Sequence, residues 1–419
     1  MTKSIRALVV LTLFAVGVHS AYAQPFACIA TAGVPARVRA EGRTELVGDL
    51  VLNCAGTVPA GPIPANIQIF LNTNITSRIT DPGTNTTDAL LSLGEPAPAA
   101  QVLGVNVFQG VKVPGYENSL IWLGIPIIPG GTPPGSFSQI VRITNVRGNA
   151  PGVPFTPPLI YMFVTIMSPI AIPINNPEQV VAAGLPGLAV HLRNCQDDGG
   201  MGEGIKPPLP KDYSPAGLFK FGEGYDAAFK TQIAAGQDGA PLGVAFPGSE
   251  SGYVNTAKLG PTIGKANTGA RLIARFANIP DDVSVFVTTT QLGTGTTPGT
   301  QATLVSVTDP TGASGSLQSP VPPSWPPGVD ACTGGNGGII AQVSITAGSG
   351  AATWEIAAQS PSMVETVAVG VEFSSRLKGK PARVAFSFAP LSNDDKASAT
   401  SPIPRFAQPL DAYVILPRR

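Results

Sequence analysis

Histidine is almost missing from this 419-residue sequence, which contains only His19 and His191. His19 lies in an apolar leader that we expect to be removed, so the mature chain keeps only His191, in the alternating stretch LAVHLRN. A Ser-His-Asp arrangement would have to use that single histidine, and the sequence has no G-x-S-x-G turn to supply the serine. Multi-histidine metal sites are excluded within one mature chain. We therefore predict no catalytic residue, no metal site and no cofactor.

Charge of either sign is scarce as well, because Asp, Glu, Lys and Arg make up 12% of the residues while 43% are hydrophobic. Taking the leader's Lys3 and Arg6 from the 26 Lys and Arg residues leaves 24, against 26 Asp and Glu, so the mature net charge is −2. Such a chain offers no basic face for nucleic acid or for an anionic membrane, and it lacks the charge excess of disordered proteins. We therefore expect neither nucleic acid nor a membrane surface as a partner.

Cysteine is limited to Cys28, Cys54, Cys195 and Cys332, and none of the four belongs to a C-x-x-C pair. This spacing gives no support to a zinc site or to a thioredoxin-like motif. An even number of cysteines outside the cytoplasm favours disulfides. Nearness in the sequence favours Cys28–Cys54, which leaves Cys195–Cys332, although four cysteines allow three connectivities and the sequence does not choose among them.

Long hydrophobic runs are absent after the first residues. Residues 1–23 have a basic start, an apolar run and the ending Ala21-Tyr22-Ala23, the small-x-small pattern that signal peptidase recognises. The run is shorter than the ~20 apolar residues that span a bilayer. We predict a cleaved signal peptide, a mature protein that begins at Gln24, and a secreted or cell-surface location without a membrane span. Lipidation at Cys28 is the alternative, and the preceding Pro-Phe-Ala disfavours it.

Glycine (48 residues) and proline (43 residues) are plentiful, and they separate short apolar stretches without any fixed period. These stretches are rich in Val, Ile, Thr and Phe, and many alternate apolar with polar residues, which is typical of β-strands. A helix is predicted only at Asp226–Ala235. Strands are predicted at Glu45–Cys54, Ala65–Asn72, Gly104–Val113, Leu120–Ile128, Gln139–Arg147, Leu159–Met167, Leu188–Asn194, Gly217–Phe221, Ala270–Ala277, Val283–Thr290, Thr303–Thr308, Gly337–Thr346, Ala352–Ala358, Thr366–Phe373 and Ala382–Ala389.

Two segments far apart share one pattern. Pro64–Thr73 (PANIQIFLNT) and Pro280–Thr289 (PDDVSVFVTT) both open with proline and then alternate apolar and polar residues, and the strands before and after them follow the same order. We predict an all-β fold of two tandem, related β-sandwich domains of the immunoglobulin-like kind, after the signal peptide. The domains would span residues 24–194 and 218–390, with a Gly/Pro-rich linker (195–217) between them and a polar tail (391–419) after them. Alternatively, generic alternation makes any two β-hairpins look alike.

Few side chains stand out as candidates for a binding site. Trp325, in a proline-rich loop, and Tyr253 are aromatic residues that could stack on a sugar. The C-terminal patch Tyr413, Val414, Ile415 and Leu416 could dock on its own domain, which we favour, or add to a neighbour's sheet edge as an assembly strand. The Asp-rich loops 196–200 and 393–395 could hold calcium, but they match no calcium motif and solvated loops are favoured. Glycoside hydrolysis needs only paired carboxyl groups, yet no spacing identifies a pair among Glu41, Glu45, Asp49, Glu223, Glu250, Glu355 and Glu372.

Five segments carry a resemblance to a known group of proteins. They are AEGRTELVGDLVLNC, NIQIFLNTNITSRI, RITNVRGNA, FGEGYDAAFKTQ and GSESGYVNT. In these segments the chain resembles large exported β-rich proteins of soil bacteria that carry an early cysteine pair and have no assigned function. The resemblance implies export and a β-rich fold, and it implies no activity and no functional residue.

The export pattern, the β-rich halves and the lack of catalytic groups favour a non-catalytic secreted or surface protein with a structural, adhesion or assembly role. Its partners would then be copies of itself, or extracellular glycans or proteins. The first alternative is an extracellular carbohydrate-binding protein, and the second is a secreted glycoside hydrolase that uses carboxyl groups.

Overall fold

The computed structural model describes residues 25–154, 157–194, 217–232, 248–292, 301–323, 340–360, 362–374, 377, 381–409 and 413–415. The fold is nearly all-β, with 50% strand and 3% helix. In the described part, no helix is both long enough and apolar enough to cross a membrane.

The strands of the first half are β1 (Ala27–Thr31), β2 (Ala36–Arg39), β3 (Glu45–Leu46), β4 (Leu50–Val58), β5 (Ile63–Leu71), β6 (Ile79–Asp81), β7 (Thr86–Leu93), β8 (Val107–Lys112), β9 (Ser119–Ile128), β10 (Gly135–Thr144), β11 (Arg147–Gly148), β12 (Leu159–Met167), β13 (Ile174–Asn175) and β14 (Glu178–Leu185). Two 3₁₀ turns, Pro98–Ala100 and Ala150–Gly152, lie among them.

The strands that follow are β15 (Leu188–Asn194), β16 (Gly217–Glu223), β17 (Arg271–Ala277), β18 (Val285–Thr288), β19 (Gln301–Ser306), β20 (Ile340–Val343), β21 (Gly350–Ala358), β22 (Thr366–Phe373), β23 (Arg383–Ala389) and β24 (Tyr413–Ile415). One short helix, α1 (Thr256–Leu259), precedes β17. Every strand window predicted from the sequence therefore overlaps at least one of these strands.

The first half is built on one 12-stranded sheet. Its order is β13-β1-β4-β10-β7-β8-β9-β5-β12-β14-β2, with β6 paired to β7. Buried side chains from both ends and from the centre of the sheet belong to one hydrophobic core, so the sheet curves around a single interior. Cys28 of β1 lies opposite Cys54 of β4, and the two form a disulfide, which confirms the predicted pair.

The second half consists of two five-stranded sheets, β15-β16-β22-β18-β20 and β19-β21-β17-β23-β24. They share one core, in which aromatic rings from the two sheets meet. The ring centroids of Phe219 and Phe386 are 4.8 Å apart, and those of Phe221 and Trp354 are 6.1 Å apart. Trp354 is fully buried and donates its indole N–H to the carbonyl of Thr288 at 2.9 Å. These rings hold the two sheets face to face.

Six strands in each half pair in the same way. In the first half β4 pairs with β10, β10 with β7, β5 with β9 and β5 with β12. In the second half β17 pairs with β21, β21 with β19, β18 with β20 and β18 with β22. All eight pairs are antiparallel, and the six strands follow one another in the same chain order. The halves differ at one point. In the first half β8 pairs with both β7 and β9 and so joins the two groups of strands into one sheet, whereas in the second half the corresponding groups form two separate sheets.

Three segments differ from their predicted places. Leu188–Asn194 is predicted at the end of the first half, but it pairs with β16, because Leu188, Val190 and Leu192 pack on the second core. Residues 391–409 are predicted as a polar tail, but they cross the junction between the halves, with Phe406 fully buried. The described part of the predicted helix, residues 226–232, is a turn in which Ala227 has a positive φ of 62°.

Candidate functional site

The two halves are fastened by a buried ion-pair network. Glu45 accepts hydrogen bonds from Arg39 at 2.9 Å and lies 3.7 Å from the Lys230 ammonium, which belongs to the second half. Burial acts to raise the pKa of the Glu45 carboxyl, but the charges of Arg39 and Lys230 hold it below its ordinary value. Burial also lowers the pKa of Lys230 to about 8. One first-half carboxylate is thus the shared counter-charge of two buried cations.

The segment 391–409 closes the same junction from another side. Phe406 stacks on Phe388, with ring centroids 4.9 Å apart, and the Arg39 guanidinium lies 4.7 Å from the Phe406 centroid. The backbone N–H of Arg405 donates to the Thr44 hydroxyl at 3.0 Å. Cation–π and backbone contacts therefore tie the end of the second half to the start of the first.

A third set of contacts holds residues 248–263 against the first half. Leu90 and Val107 form a small apolar cluster with Val254, Leu259 and Ile263. The side chain of Gln101 donates to the Tyr253 carbonyl at 2.7 Å and accepts from the N–H of Asn255 at 3.1 Å. Arg147 donates to the Ser249 carbonyl at 2.7 Å. The loop that carries Tyr253 is therefore held on both sides of that residue.

These contacts leave open a cavity of about 720 Å³, which we call the junction cleft. This volume is within the usual range of ligand pockets, roughly 300–1,000 Å³. Both halves contribute to its walls. They are formed by Thr31, Ala32, Gly33, Val34, Ala36, Arg37, Leu46, Val47, Gly48, Asp49, Val51, Arg142, Tyr225, Asp226, Ala227, Lys230, Gly248, Ser251, Gly252 and Tyr253.

Arg37 and Asp226 join the two halves at the exposed part of the cleft. The Arg37 guanidinium donates to both carboxylate oxygens of Asp226, with the Nη2–Oδ2 distance at 2.8 Å, and the pair lowers the pKa of that carboxyl. The same guanidinium lies 5.8 Å from the ring centroid of Tyr225. Tyr225 itself is buried, and its hydroxyl has no hydrogen-bond partner in the described structure. Tyr225 thus lines the cleft, while its unsatisfied hydroxyl is buried beside it.

A second arginine–tyrosine pair also lines the cleft. Arg142 donates to Asp49 at 3.0 Å and to Glu95 at 2.8 Å, and its guanidinium lies 4.5 Å from the ring centroid of Tyr253. Thr144 donates to the other oxygen of Asp49 at 2.8 Å. Burial raises the pKa of the Asp49 carboxyl, against the opposing effects of Thr144 and Arg142. The Tyr253 ring is therefore held against the Arg142 guanidinium, which is itself fixed by its ion pairs with Asp49 and Glu95.

A smaller cavity of about 220 Å³ adjoins the junction cleft. Arg142 and Tyr253 line both cavities, so this pair forms their shared wall. The smaller cavity is otherwise lined by first-half residues, which include Leu90, Ser92 and Ala97. Together the two spaces form one candidate site, with the Arg142–Tyr253 pair common to both parts.

The predicted site residues fall in different places. Tyr253 lines the junction cleft, whereas Trp325, Cys195, Cys332 and Leu416 lie outside the described residues. Tyr413, Val414 and Ile415 form β24 and pair with β23 of the same chain, so this strand is self-docked, at the end of its sheet. Assembly through it stays a proposal.

Most of the candidate carboxyl groups are engaged in structural contacts. Glu355 pairs with buried Arg271 at 2.9 Å, and Glu223 accepts the backbone N–H groups of Phe229 and Glu365 at 2.6 and 3.0 Å. Glu41 accepts the N–H of Gly187 at 3.0 Å. Of the seven candidates, only Asp49 lines the junction cleft.

The remaining sequence candidates are not gathered at the cleft. His191 is exposed on β15, opposite Lys220. In the 393–395 loop, Asp394 accepts the N–H of Lys396 at 3.2 Å, and loop 196–200 lies outside the described residues. Within the described ranges, no group of three or more His, Cys, Asp or Glu side chains could hold a metal ion.

The sequence gives no direct sign of Arg37, Arg142, Tyr225 or Asp226 as site residues. An indirect sign exists, because four of the five segments that carry the resemblance supply residues to the cleft. These segments lie far apart in the chain, and only the fold shows that they meet at one site.

No family model and no curated protein matches this sequence. Among solved structures, the serine-rich repeat adhesion glycoprotein Srr1 of Streptococcus agalactiae is 11% identical, with 92% of this chain and 96% of that chain covered and a TM-score of 0.19. The CupB6 tip adhesin of Pseudomonas aeruginosa is 9% identical, with 92% and 99% covered and a TM-score of 0.15. At such TM-scores the likeness carries no argument about fold or function.

Proposed function

We propose that this protein is an exported, non-catalytic binding protein that acts in adhesion or extracellular assembly and recognises its partner at the junction cleft. The observation that carries the proposal is the cleft itself. It is a ligand-sized space between two fastened halves, with two tyrosines and paired charges in its walls. Aromatic side chains that are already held in position favour binding, because little conformational entropy is lost when a ligand arrives.

Binding is favoured over hydrolysis by the surroundings of the two cleft carboxyl groups. Both oxygens of Asp49 accept hydrogen bonds, from Thr144 and Arg142, and both oxygens of Asp226 accept hydrogen bonds from Arg37. A glycosidase acid must instead present a proton to the leaving oxygen. Because arginine can only donate, its contacts with Asp49 and Asp226 favour ionised carboxylates that position neighbouring side chains.

Export is supported by the Cys28–Cys54 disulfide, since such bonds persist in oxidising compartments. We also propose that the halves are tandem, related β-sandwich domains. The six-strand pairing pattern that they share supports this proposal, as does the order in which those strands follow one another. The pairing of β15 with β16 favours a boundary just before Leu188.

The test is retention of the purified mature protein, residues 24–419, on intact bacterial cells and on isolated extracellular matrix. Wild type and Tyr116→Ala, an exposed tyrosine outside the cleft, should be retained, whereas Arg142→Ala should be retained much less. Absence of retention on every surface, or turnover in a broad polysaccharide activity screen, would overturn the proposal.

Assembly needs its own experiment, because β24 is the last strand of its sheet and its outer side could accept a neighbour. Light scattering over a range of concentrations should show a larger species for the mature protein than for a variant that lacks residues 411–419. Equal sizes would remove the assembly role and leave adhesion.

A further inference from the structure

We infer that the junction cleft and its smaller neighbour together bind an uncharged oligosaccharide chain that crosses the Tyr253 ring. This inference rests on the proposed function and names the class of ligand. Three features of the site carry it: the pairing of its charges, the fixed aromatic ring, and the division of the space into two parts.

The charges in the wall disfavour an ionic ligand. Arg37 is paired with Asp226, Arg142 with Asp49 and Glu95, and Lys230 with Glu45. An anionic ligand would compete with these carboxylates for the same cations and would lie close to their negative charges, and displacing a partly buried carboxylate from its partner is costly. Hydroxyl groups can instead share the remaining donor and acceptor positions of the paired groups without displacing them.

The Tyr253 ring is fixed before any ligand arrives. The Arg142 guanidinium lies against it, and Gln101 holds the backbone of the loop through the Tyr253 carbonyl and the Asn255 N–H. Sugar rings present apolar C–H faces, which pack on aromatic rings, while their hydroxyl groups bind neighbouring polar side chains. The buried Tyr225 hydroxyl, which lacks a partner in the described structure, is one polar group that a ligand hydroxyl or a bridging water could satisfy after a small movement.

The division of the space sets the length of the ligand. Cavities of about 720 and about 220 Å³ meet at the Arg142–Tyr253 pair. A single sugar ring can occupy one of them, but only a chain of linked rings can occupy both and pass the tyrosine. We therefore expect affinity to rise with chain length until both cavities are filled.

The test is titration calorimetry of the mature protein with neutral oligosaccharides (cello-, manno- and galacto-series of two to six units) and with polygalacturonate and hyaluronan, at about 20 mM and about 500 mM NaCl. At least one neutral series should bind, more tightly as length increases and with little effect of salt. Tyr253→Ala should weaken that binding roughly tenfold, while Tyr253→Phe, which keeps the ring, should stay within about twofold of wild type.

Two further variants keep the result interpretable. Tyr116→Ala removes an exposed tyrosine elsewhere and should bind like wild type. Ala97→Trp adds bulk from an exposed position on the smaller cavity, so it should weaken hexasaccharide binding and leave disaccharide binding unchanged. If Ala97→Trp weakened disaccharide and hexasaccharide binding by the same factor, the two-part site would be overturned.

The remaining outcomes separate this inference from the proposed function. Salt-sensitive binding of only the acidic polymers would overturn the choice of an uncharged ligand. Retention on cells that depends on Arg142, together with no binding of any saccharide, would overturn the saccharide while leaving the adhesion role intact. No retention and no saccharide binding would overturn both.

Discussion

Replacing Glu45 with glutamine should destabilise the protein by about 3–5 kcal/mol, the usual cost of removing one partner from a buried ion pair. The Glu45 side chain is 0% exposed, and two Arg39 nitrogens lie 2.9 and 2.8 Å from its Oε1. The Lys230 ammonium lies 3.7 Å from its other oxygen. Glutamine keeps the shape of the side chain, but it removes the negative charge that Arg39 and Lys230 share.

The assay is urea unfolding at pH 7, with Glu117→Gln as the matched control. Glu117 pairs with Lys112 at 2.6 Å, but both side chains are partly exposed, and pairs of this kind contribute about 0–1 kcal/mol. If Glu45→Gln lowered the free energy of unfolding by no more than Glu117→Gln does, a fastening role for the buried network would be refuted.

The same network should couple the unfolding of the two halves. Trp122 and Trp354 are both fully buried, one in each half. In Trp325→Phe/Trp354→Phe the only fluorescent reporter left is Trp122 of the first half, and in Trp122→Phe/Trp325→Phe it is Trp354 of the second half. The two reporters should change together in the otherwise wild-type protein. In Glu45→Gln they should separate, because the half that loses less stabilisation unfolds later.

Three further predictions concern stability. Replacing Cys28 and Cys54 together by serine should cost about 3.5 kcal/mol, given their sequence separation of 26, and urea unfolding with and without reductant checks this. Burial raises the pKa of the Glu223 carboxyl from its ordinary 4.5 to about 7, so the folded state keeps a proton that the unfolded state has released. The free energy of unfolding should therefore fall as the pH rises from about 4.5 to about 7. Measured by urea unfolding at several pH values in that window, it should depend less on pH in Glu223→Gln than in wild type. Phe406→Ala, which removes a fully buried ring stacked on Phe388, should cost about 3–5 kcal/mol and lower the thermal midpoint; a loss below about 1 kcal/mol would contradict the packing of segment 391–409.

The limits of prediction from the sequence are visible in individual strands. β5 alternates strictly, with Ile67, Ile69 and Leu71 buried in the core, so its pattern is visible without the fold. β7 (TTDALLSL) has no such pattern, because six of its eight residues are buried. One face of β7 packs on the first core, while Leu90 meets Val254 of the second half. A strand that is covered on both faces loses the period-two signal.

The sequence by itself determined the β-rich class and the positions of most strands, and it favoured the Cys28–Cys54 pair that the structure confirms, because alternation, turn residues and nearness in the chain are local properties. The tertiary structure alone decided that residues 391–409 would seal the junction and that a cleft would form there. Arg37 and Asp226 are 189 positions apart, and Arg142 and Asp49 are 93 apart. No local pattern links such residues, since their meeting depends on how two curved sets of strands pack against each other.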